Sequence, residues 1–250
     1  MPVNRVDIGT KDGTVKCQLF SLSDADRAPA VILYMDAFGI RPALEQMAQR
    51  IAAAGYYVLL PDLYYRHGSL PPFDPKVVFD EPSEREKLMG LVRSLKNEMV
   101  MDDTRSCLSF LGSNIQTDGQ PVACVGYCMG GPFALSAAGT FPKSIRAAAS
   151  IHGGRLATDQ PDSPHLLAKK MKAGVYVGVA GIDPHFTAEE RERLESALKS
   201  AHVKHTVEVY PDVKHGFAVS DTAVYDRAAS ERHFQRILDL FAKNLVNEAN

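Results

Sequence analysis

The fold prediction rests on one segment, Val122-Ala-Cys-Val-Gly-Tyr-Cys-Met-Gly-Gly131. A short apolar run ends at Gly126, Cys128 follows two residues later, and Gly131 opens a segment that is compatible with a helix. This is the pattern Gly-x-nucleophile-x-Gly, in which a sharp turn between strand and helix exposes the central side chain and the flanking residues have to be small. The segment therefore predicts a nucleophile elbow with Cys128 as the reactive residue.

A cysteine in this position would lie at the N-terminus of a helix. The helix dipole and the free N–H groups there favour a thiolate, and they would also stabilise an oxyanion on a substrate carbonyl. Glycines around a cysteine also occur for packing reasons, so the rest of the chain has to decide between the two interpretations. Three other cysteines fall in predicted strands or on the apolar side of a helix and are expected to be buried: Cys17, Cys107 and Cys124.

Length and composition predict one domain over residues 1–250. The chain has 250 residues, of which 45% are hydrophobic and 23% charged, as is usual for a globular α/β protein. A formal net charge of −2 gives no electrostatic reason to expect nucleic acid or an anionic membrane as a partner.

No apolar segment has the length of a membrane span, and four cysteines without a signal sequence fit a reducing compartment. We expect a cytoplasmic monomer or small homo-oligomer.

Apolar runs alternate with helical patterns about six times along the chain. The runs that predict strands cover residues 3–8, 14–20, 30–35, 56–60, 146–151, 174–179 and 205–210, together with the strand that enters the elbow. Helices are predicted from Pro42, from a capping box at Ser83 and Glu86, from about Asp102, after the elbow, from Thr187 and from about Thr222. The alternation predicts an α/β fold, a mostly parallel central sheet with helices on both faces, with an antiparallel hairpin turning at Asp12-Gly13.

Three predicted strand ends carry residues suited to nucleophilic acyl transfer. Sites in such sheets lie beyond the C-terminal ends of the strands, and Cys128, Asp183 and His215 follow three of them in that order. His215 would hold the thiolate and later donate a proton, while Asp183 would fix its tautomer and orientation. Each residue also has an ordinary explanation, as a buried cysteine, a turn aspartate before proline and a loop histidine. Their joint occurrence favours the catalytic interpretation.

From about residue 30 to residue 245 the sequence resembles the dienelactone hydrolase family of α/β hydrolases. The matching segments are residues 36–39, 126–131, 181–186 and 215–217. The resemblance implies the α/β-hydrolase fold and a cofactor-independent hydrolase that opens a small-molecule lactone or ester through a thioester on Cys128. It also implies a triad of Cys128, Asp183 and His215 and an oxyanion hole formed by the backbone N–H groups of Ala37 and Met129.

Two positions depart from the family pattern. The family carries Glu where this chain has Asp36, so the resemblance makes Asp36 the candidate thiol-activating acid; alternatively, Asp36 accepts N–H bonds from its own loop. The family binds a substrate carboxylate with two arginines, and Arg85 occupies the first of these positions. Arg85 therefore either binds the substrate carboxylate or pairs with Glu84 and Glu86 on the surface. Val219 occupies the second position.

Several side chains near the strand ends are predicted to line a substrate pocket or to pack beside it: Phe38, Tyr64, Tyr65, Tyr127 and His152. His202 and His205 have the spacing His-x-x-His, but no further zinc-like ligands stand nearby, and no metal is expected. Two other functions remain open at this point. One is a small-molecule binding or sensing protein that uses the same fold without catalysis, and the other is a redox-sensing thiol protein.

Overall fold

An eight-stranded, mostly parallel sheet forms the centre of the part of the chain that the structure describes. The structure is a computed structural model, and it describes residues 3–22, 27–117 and 119–245. The strands are β1 (Asn4–Thr10), β2 (Gly13–Phe20), β3 (Ala30–Tyr34), β4 (Tyr57–Pro61), β5 (Val122–Tyr127), β6 (Ile145–Ile151), β7 (Gly174–Ile182) and β8 (His205–Lys214). Their spatial order is β1-β2-β4-β3-β5-β6-β7-β8. Only β2 pairs antiparallel within this described sheet, with β1 and β4.

Helices cover the sheet on both faces. They are α1 (Pro42–Ala53), α2 (Pro82–Ser94), α3 (Asn97–Ser113), α4 (Gly130–Thr140), α5 (Ala188–Ser200) and α6 (Arg227–Asn244). Every residue of β3 and β5 is buried, which requires cover on both sides of these central strands. Cys17, Cys107 and Cys124 are buried as predicted. Within the described ranges, no helix is long and apolar enough to cross a membrane.

The predicted alternation of strands and helices is confirmed, including the N-terminal hairpin. In that hairpin Thr10 lies opposite Gly13, so the two turn residues are Lys11 and Asp12, one position before the Asp-Gly dipeptide but within the predicted segment 11–13. Strands β7 and β8 extend furthest beyond their apolar runs, to Ile182 and to Lys214. Asp183 and His215 therefore follow their strands directly.

The predicted starts of three helices were wrong. The capping box at Ser83 is absent, because α2 already begins at Pro82, whose fixed φ suits the first helical position. Helix α3 begins at Asn97, five residues before the apolar pattern became clear. Helix α6 begins at Arg227 rather than near Thr222, because the Asp226 carboxylate caps it by accepting the N–H of Ala229 at 2.8 Å.

The turn between β5 and α4 has the tight geometry of a nucleophile elbow. A Cβ atom added to Gly126 would lie 2.0 Å from the carbonyl oxygen of Gly130, so only glycine fits at this position. Cys128 has a φ of 52°, in the left-handed region that non-glycine residues rarely adopt. Such strain persists only where the surrounding structure imposes it, and here it lifts the thiol above the end of the sheet.

Candidate active site

His215 connects Cys128 to Asp183. Its Nε2 atom lies 3.0 Å from the Cys128 sulfur, and its Nδ1 atom lies 2.8 Å from Oδ2 of Asp183. The other carboxylate oxygen of Asp183 accepts the backbone N–H of His185 at 2.8 Å, which fixes the carboxylate in its turn. The Asp183 side chain is only 1% exposed. The three residues have the spacing and burial that proton transfer between a thiol and an imidazole requires.

The surroundings of His215 favour its protonated form. Burial alone would disfavour the charge, but the neighbouring Cys128 sulfur and the hydrogen bonds to Asp183 and Cys128 outweigh it. Together they raise the pKa of His215 to about 10 from its ordinary value of 6.5. At neutral pH the ring therefore carries a proton that it can pass to a leaving group.

Two further imidazole rings flank His215. The ring of His152 lies 5.2 Å away and the ring of His185 lies 4.9 Å away, centre to centre, and both contacts are edge to face. Burial, together with the charge of His215, lowers the pKa of His152 well below its ordinary value, so this ring is neutral. His152 thus supports the His215 ring from the protein interior without competing for its proton.

Two backbone N–H groups, one in the elbow and one in the loop after β3, have no acceptor among the described residues. The N–H of Cys128 itself donates to the carbonyl oxygen of Ile151 at 3.1 Å. The N–H groups of Ala37 and Met129, in contrast, have no hydrogen-bond acceptor within the described part of the chain. The hydroxyl oxygen of Tyr64 lies 2.8 Å from the carbonyl oxygen of Ala37 and 3.4 Å from the sulfur of Met129. Tyr64 therefore brings these two residues together.

Asp36 binds Arg41 and not the thiol. Its two carboxylate oxygens accept from the Arg41 guanidinium at 2.7 and 2.9 Å, and Oδ1 also accepts the N–H of Phe38 at 3.0 Å. Burial raises the pKa of Asp36, while Arg41 acts against this shift. No hydrogen bond joins Asp36 to Cys128 among the described residues. The geometry favours the loop-bonding alternative over the predicted thiol-activating role.

Arg41 and Asp221 are absent from the sequence prediction of the site. Asp221 accepts from the same guanidinium at 2.6 and 3.0 Å, which makes Arg41 a bridge between two carboxylates. One signal in the sequence points to Arg41. It stands at the N-cap of α1, where a cation opposes the helix dipole and Ser, Thr, Asp or Asn is preferred. An arginine there requires a compensating contact, but the sequence does not identify the partner.

Arg85 is an exposed residue in the first turn of α2. The surface pairing that competed with a substrate-binding role is absent, because Glu84 pairs with Lys87 at 2.6 Å and Glu86 pairs with Arg93 at 3.1 Å. Arg85 itself has no ion pair in the described ranges. Its contact with substrate stays a prediction.

The remaining predicted pocket residues divide by burial. The half-buried ring of Phe38 contacts Phe79 edge to face at 6.0 Å. Tyr127 is fully buried, and its hydroxyl lies 3.1 Å from Nε2 of His233, so its placement argues against contact with substrate. Tyr64 and His152 are also buried, and they contact Ala37 and His215 rather than lining an open surface. Val219, at the position of the family's second arginine, is buried too.

The fold and the order of the residues at the strand ends define the class of α/β hydrolases. A crystal structure of a "Putative Dienelactone Hydrolase" from Klebsiella pneumoniae has the same fold, with a TM-score of 0.82 at 21% identity over 97% of this chain and 98% of that chain. Residues 16–245 match the profile described as "Dienelactone hydrolase family". The chain belongs to the dienelactone hydrolase family and is a carboxylic ester or lactone hydrolase of that type.

Relatives of similar length support this assignment. A "Putative carboxymethylenebutenolidase" of Salmonella typhi is 28% identical over 97% of this chain and 93% of its own length. "Carboxymethylenebutenolidase 1" of Cupriavidus pinatubonensis is 27% identical over 87% of each chain. The similarity therefore extends over most of the sequence and not only over the elbow.

Proposed function

We propose that this protein opens a small lactone or ester by a carboxymethylenebutenolidase-like reaction in which Cys128, His215 and Asp183 act as a catalytic triad. One observation carries the proposal: His215 lies within hydrogen-bond distance of both the Cys128 sulfur and the Asp183 carboxylate. Asp183 holds the ring with Nε2 directed at the sulfur, which is the orientation that nucleophilic catalysis requires.

In the first half of the reaction the Cys128 thiolate attacks the carbonyl carbon of the substrate. A C–S bond forms, and the carbonyl oxygen becomes an oxyanion that accepts the N–H groups of Ala37 and Met129. The tetrahedral intermediate then collapses, the C–O bond of the ester breaks, and the leaving oxygen takes the proton from His215. In a lactone the leaving oxygen stays attached to the acyl group, so the ring opens and the whole substrate remains on the enzyme as a thioester.

In the second half a water molecule hydrolyses the thioester. Neutral His215 accepts a proton from the water as its oxygen attacks the thioester carbon, and the oxyanion again forms beside Ala37 and Met129. The C–S bond breaks, the carboxylic acid is released, and the thiolate and imidazolium are restored. No cofactor takes part in these steps.

The choice of substrate depends on which cations are free to bind a carboxylate. Arg41 is engaged by two carboxylates, and Val219 is apolar and buried, so neither offers a free cation to a substrate carboxylate. Arg85 is the remaining candidate for such a contact. We propose a small, mainly uncharged lactone or ester as substrate, with at most one carboxylate that Arg85 binds.

Cys128→Ala tests this reaction. The variant should fold but lose hydrolysis of a panel of activated esters and enol-lactones, and intact mass spectrometry should detect an acyl adduct on the wild-type protein only. Iodoacetamide provides a matched check, because Cys17, Cys107 and Cys124 are buried and Cys128 alone should be alkylated in the native protein. Unchanged turnover in Cys128→Ala would refute the mechanism.

The two other functions make different predictions for the same panel. A protein that only binds small molecules would hydrolyse none of these esters, so turnover that requires His215 excludes it. A redox-sensing thiol needs no carboxylate partner for its histidine. Loss of turnover in Asp183→Asn, with the Cys128 thiol still open to oxidation, would separate catalysis from redox sensing.

A further inference from the structure

We propose that Arg41 is a positioning residue that holds the two halves of the active site in one arrangement. The first half is the oxyanion loop, defined here as residues 36–41, and the second is the histidine loop, residues 215–222. The inference rests on the proposed roles of Ala37 and His215. It adds a device that the triad does not account for, a buried guanidinium that connects one loop to the other.

All five N–H bonds of the Arg41 guanidinium have acceptors. Nε donates to Asp221 at 2.6 Å, and Nη2 donates to Asp221 at 3.0 Å and to Asp36 at 2.9 Å. Nη1 donates to Asp36 at 2.7 Å and to the carbonyl oxygen of Gly39 at 3.1 Å. The Arg41 side chain is 4% exposed. A planar guanidinium can bind two carboxylates in this bidentate way, whereas an ammonium group cannot.

On one side, this contact closes the oxyanion loop around Ala37. Asp36 accepts both the guanidinium of Arg41 and the N–H of Phe38, and Gly39 accepts from the same guanidinium. The residues before and after Ala37 are thus held at fixed positions. Because these neighbouring residues are fixed, the direction in which the backbone N–H of Ala37 points is fixed as well.

On the other side, the histidine loop transmits the position of Asp221 to His215. The Thr222 hydroxyl donates to the carbonyl oxygens of Gly216 at 3.0 Å and Val219 at 3.1 Å, and the N–H of Val219 donates to Gly216 at 3.2 Å. These bonds make residues 216–222 a closed turn. A displacement of Asp221 would therefore move the backbone next to His215.

The same contacts assign Asp36 a role different from thiol activation. Both of its oxygens are engaged by Arg41, so its carboxylate acts as an anchor of the oxyanion loop. Since His215 can accept the proton of the Cys128 thiol and Asp183 stabilises the resulting imidazolium, the reaction has no need of Asp36 as a proton acceptor.

Two single variants and their combination test the inference. Arg41→Lys keeps the positive charge but removes the planar fork, and Asp221→Asn removes a negative charge but keeps the shape. Positioning predicts that both lower kcat on an activated ester by on the order of 10- to 100-fold with KM changed less than about twofold. The double variant should be no worse than the poorer single variant, because both changes break one connection.

The pH profile separates positioning from charge effects and from simple destabilisation. If the histidine loop loosens, His215 loses contact with Asp183 and Cys128, and the basic limb of kcat/KM moves to lower pH in both variants. A purely electrostatic effect would move this limb in Asp221→Asn alone, because Arg41→Lys keeps its charge. A merely stabilising role would lower the melting temperature and leave the kcat and the pH profile of the folded enzyme unchanged.

Glu231→Gln is the matched control. It breaks the exposed ion pair between Glu231 and Arg50. Arg50 lies on α1, the helix that begins directly after Arg41, and the change should leave kcat unchanged. If Arg41→Lys does not fold, Asp221→Asn decides alone, since the Asp221 side chain is 33% exposed. Wild-type kcat in Asp221→Asn together with an inactive Cys128→Ala would overturn the inference and leave the proposed reaction standing. Activity that survives in Cys128→Ala would instead overturn the proposed reaction itself.

Discussion

The hydroxyl oxygen of Tyr64 lies 2.8 Å from the carbonyl oxygen of Ala37, and Tyr64 is buried. A carbonyl oxygen only accepts, so the tyrosine donates this hydrogen bond. Burial raises the pKa of Tyr64, which keeps the hydroxyl protonated and able to donate. The contact fixes the peptide that follows Ala37 and connects it with Met129, the other proposed oxyanion donor.

Tyr64→Phe should lower kcat by about 5- to 10-fold with little change in KM, because one hydrogen bond worth about 1 kcal/mol no longer orients Ala37. Steady-state kinetics on an activated ester measure this effect. Tyr65→Phe is the matched control, since the Tyr65 hydroxyl bonds to Thr10 and Asp103 instead. Equal kcat in Tyr64→Phe and wild type would contradict a role for Tyr64 in the oxyanion hole.

The raised pKa of His215 predicts the pH dependence of activity. The leaving group takes a proton from the imidazolium, so kcat/KM should stay high through neutral pH and fall above about pH 10. In Asp183→Asn the basic limb should move to lower pH, because a hydrogen bond to a carboxylate is lost. Asp159→Asn, at a side chain that is 90% exposed, should leave the profile unchanged. An unshifted limb in Asp183→Asn would argue against the Asp183–His215 contact.

The same shift has a consequence for stability. The pKa of His215 is higher in the folded than in the unfolded chain, so its proton stabilises the fold fully below about pH 6.5. This contribution is lost as the pH rises through about 10.

His233 predicts a loss of stability in acid. Burial, with Arg50 adding to the effect, lowers the pKa of His233 to about 3 from 6.5. Between pH 6.5 and pH 3 the unfolded chain is protonated at this ring and the folded chain is not. The free energy of unfolding therefore decreases as the pH is lowered, by about 4 kcal/mol for this residue near pH 3. Urea unfolding from pH 7 to pH 4 should show a shallower loss in His233→Gln than in wild type. His67→Gln, at an exposed ring, should keep the wild-type slope.

Arg85 predicts a charge-dependent effect on substrate binding. If the guanidinium binds a substrate carboxylate, Arg85→Gln should raise KM by about two- to fivefold for carboxylate-bearing esters, as expected for one exposed ion pair. The KM for neutral esters should not change. Arg93→Gln, which breaks the pair with Glu86 on the same helix, is the control. An equal rise in KM for neutral and charged esters would exclude this role.

Much of the fold and of the proposed triad follows from the sequence. The apolar run before Gly126, the small residues around Cys128 and the alternation of strands and helices are local patterns, and local sterics and burial determine them. The ends of parallel strands meet at one edge of the sheet, so Asp183 and His215 were expected near Cys128 before any distance was known. Helix starts were less predictable, as Asp226 illustrates, because a cap depends on which backbone N–H the side chain reaches.

The tertiary structure alone decided which side chains support that site. Arg41 and Asp221 are 180 positions apart in the chain, and Tyr64 reaches Ala37 and Met129 across 27 and 65 positions. No spacing rule connects such residues, because their contacts depend on how the loops after different strands pack against each other. The sequence thus determined a cysteine elbow on a parallel sheet. The fold determined that Asp36 binds a buried guanidinium rather than the thiol. A carboxylate removed from water is destabilised unless an opposite charge compensates it, and Arg41 provides that charge here.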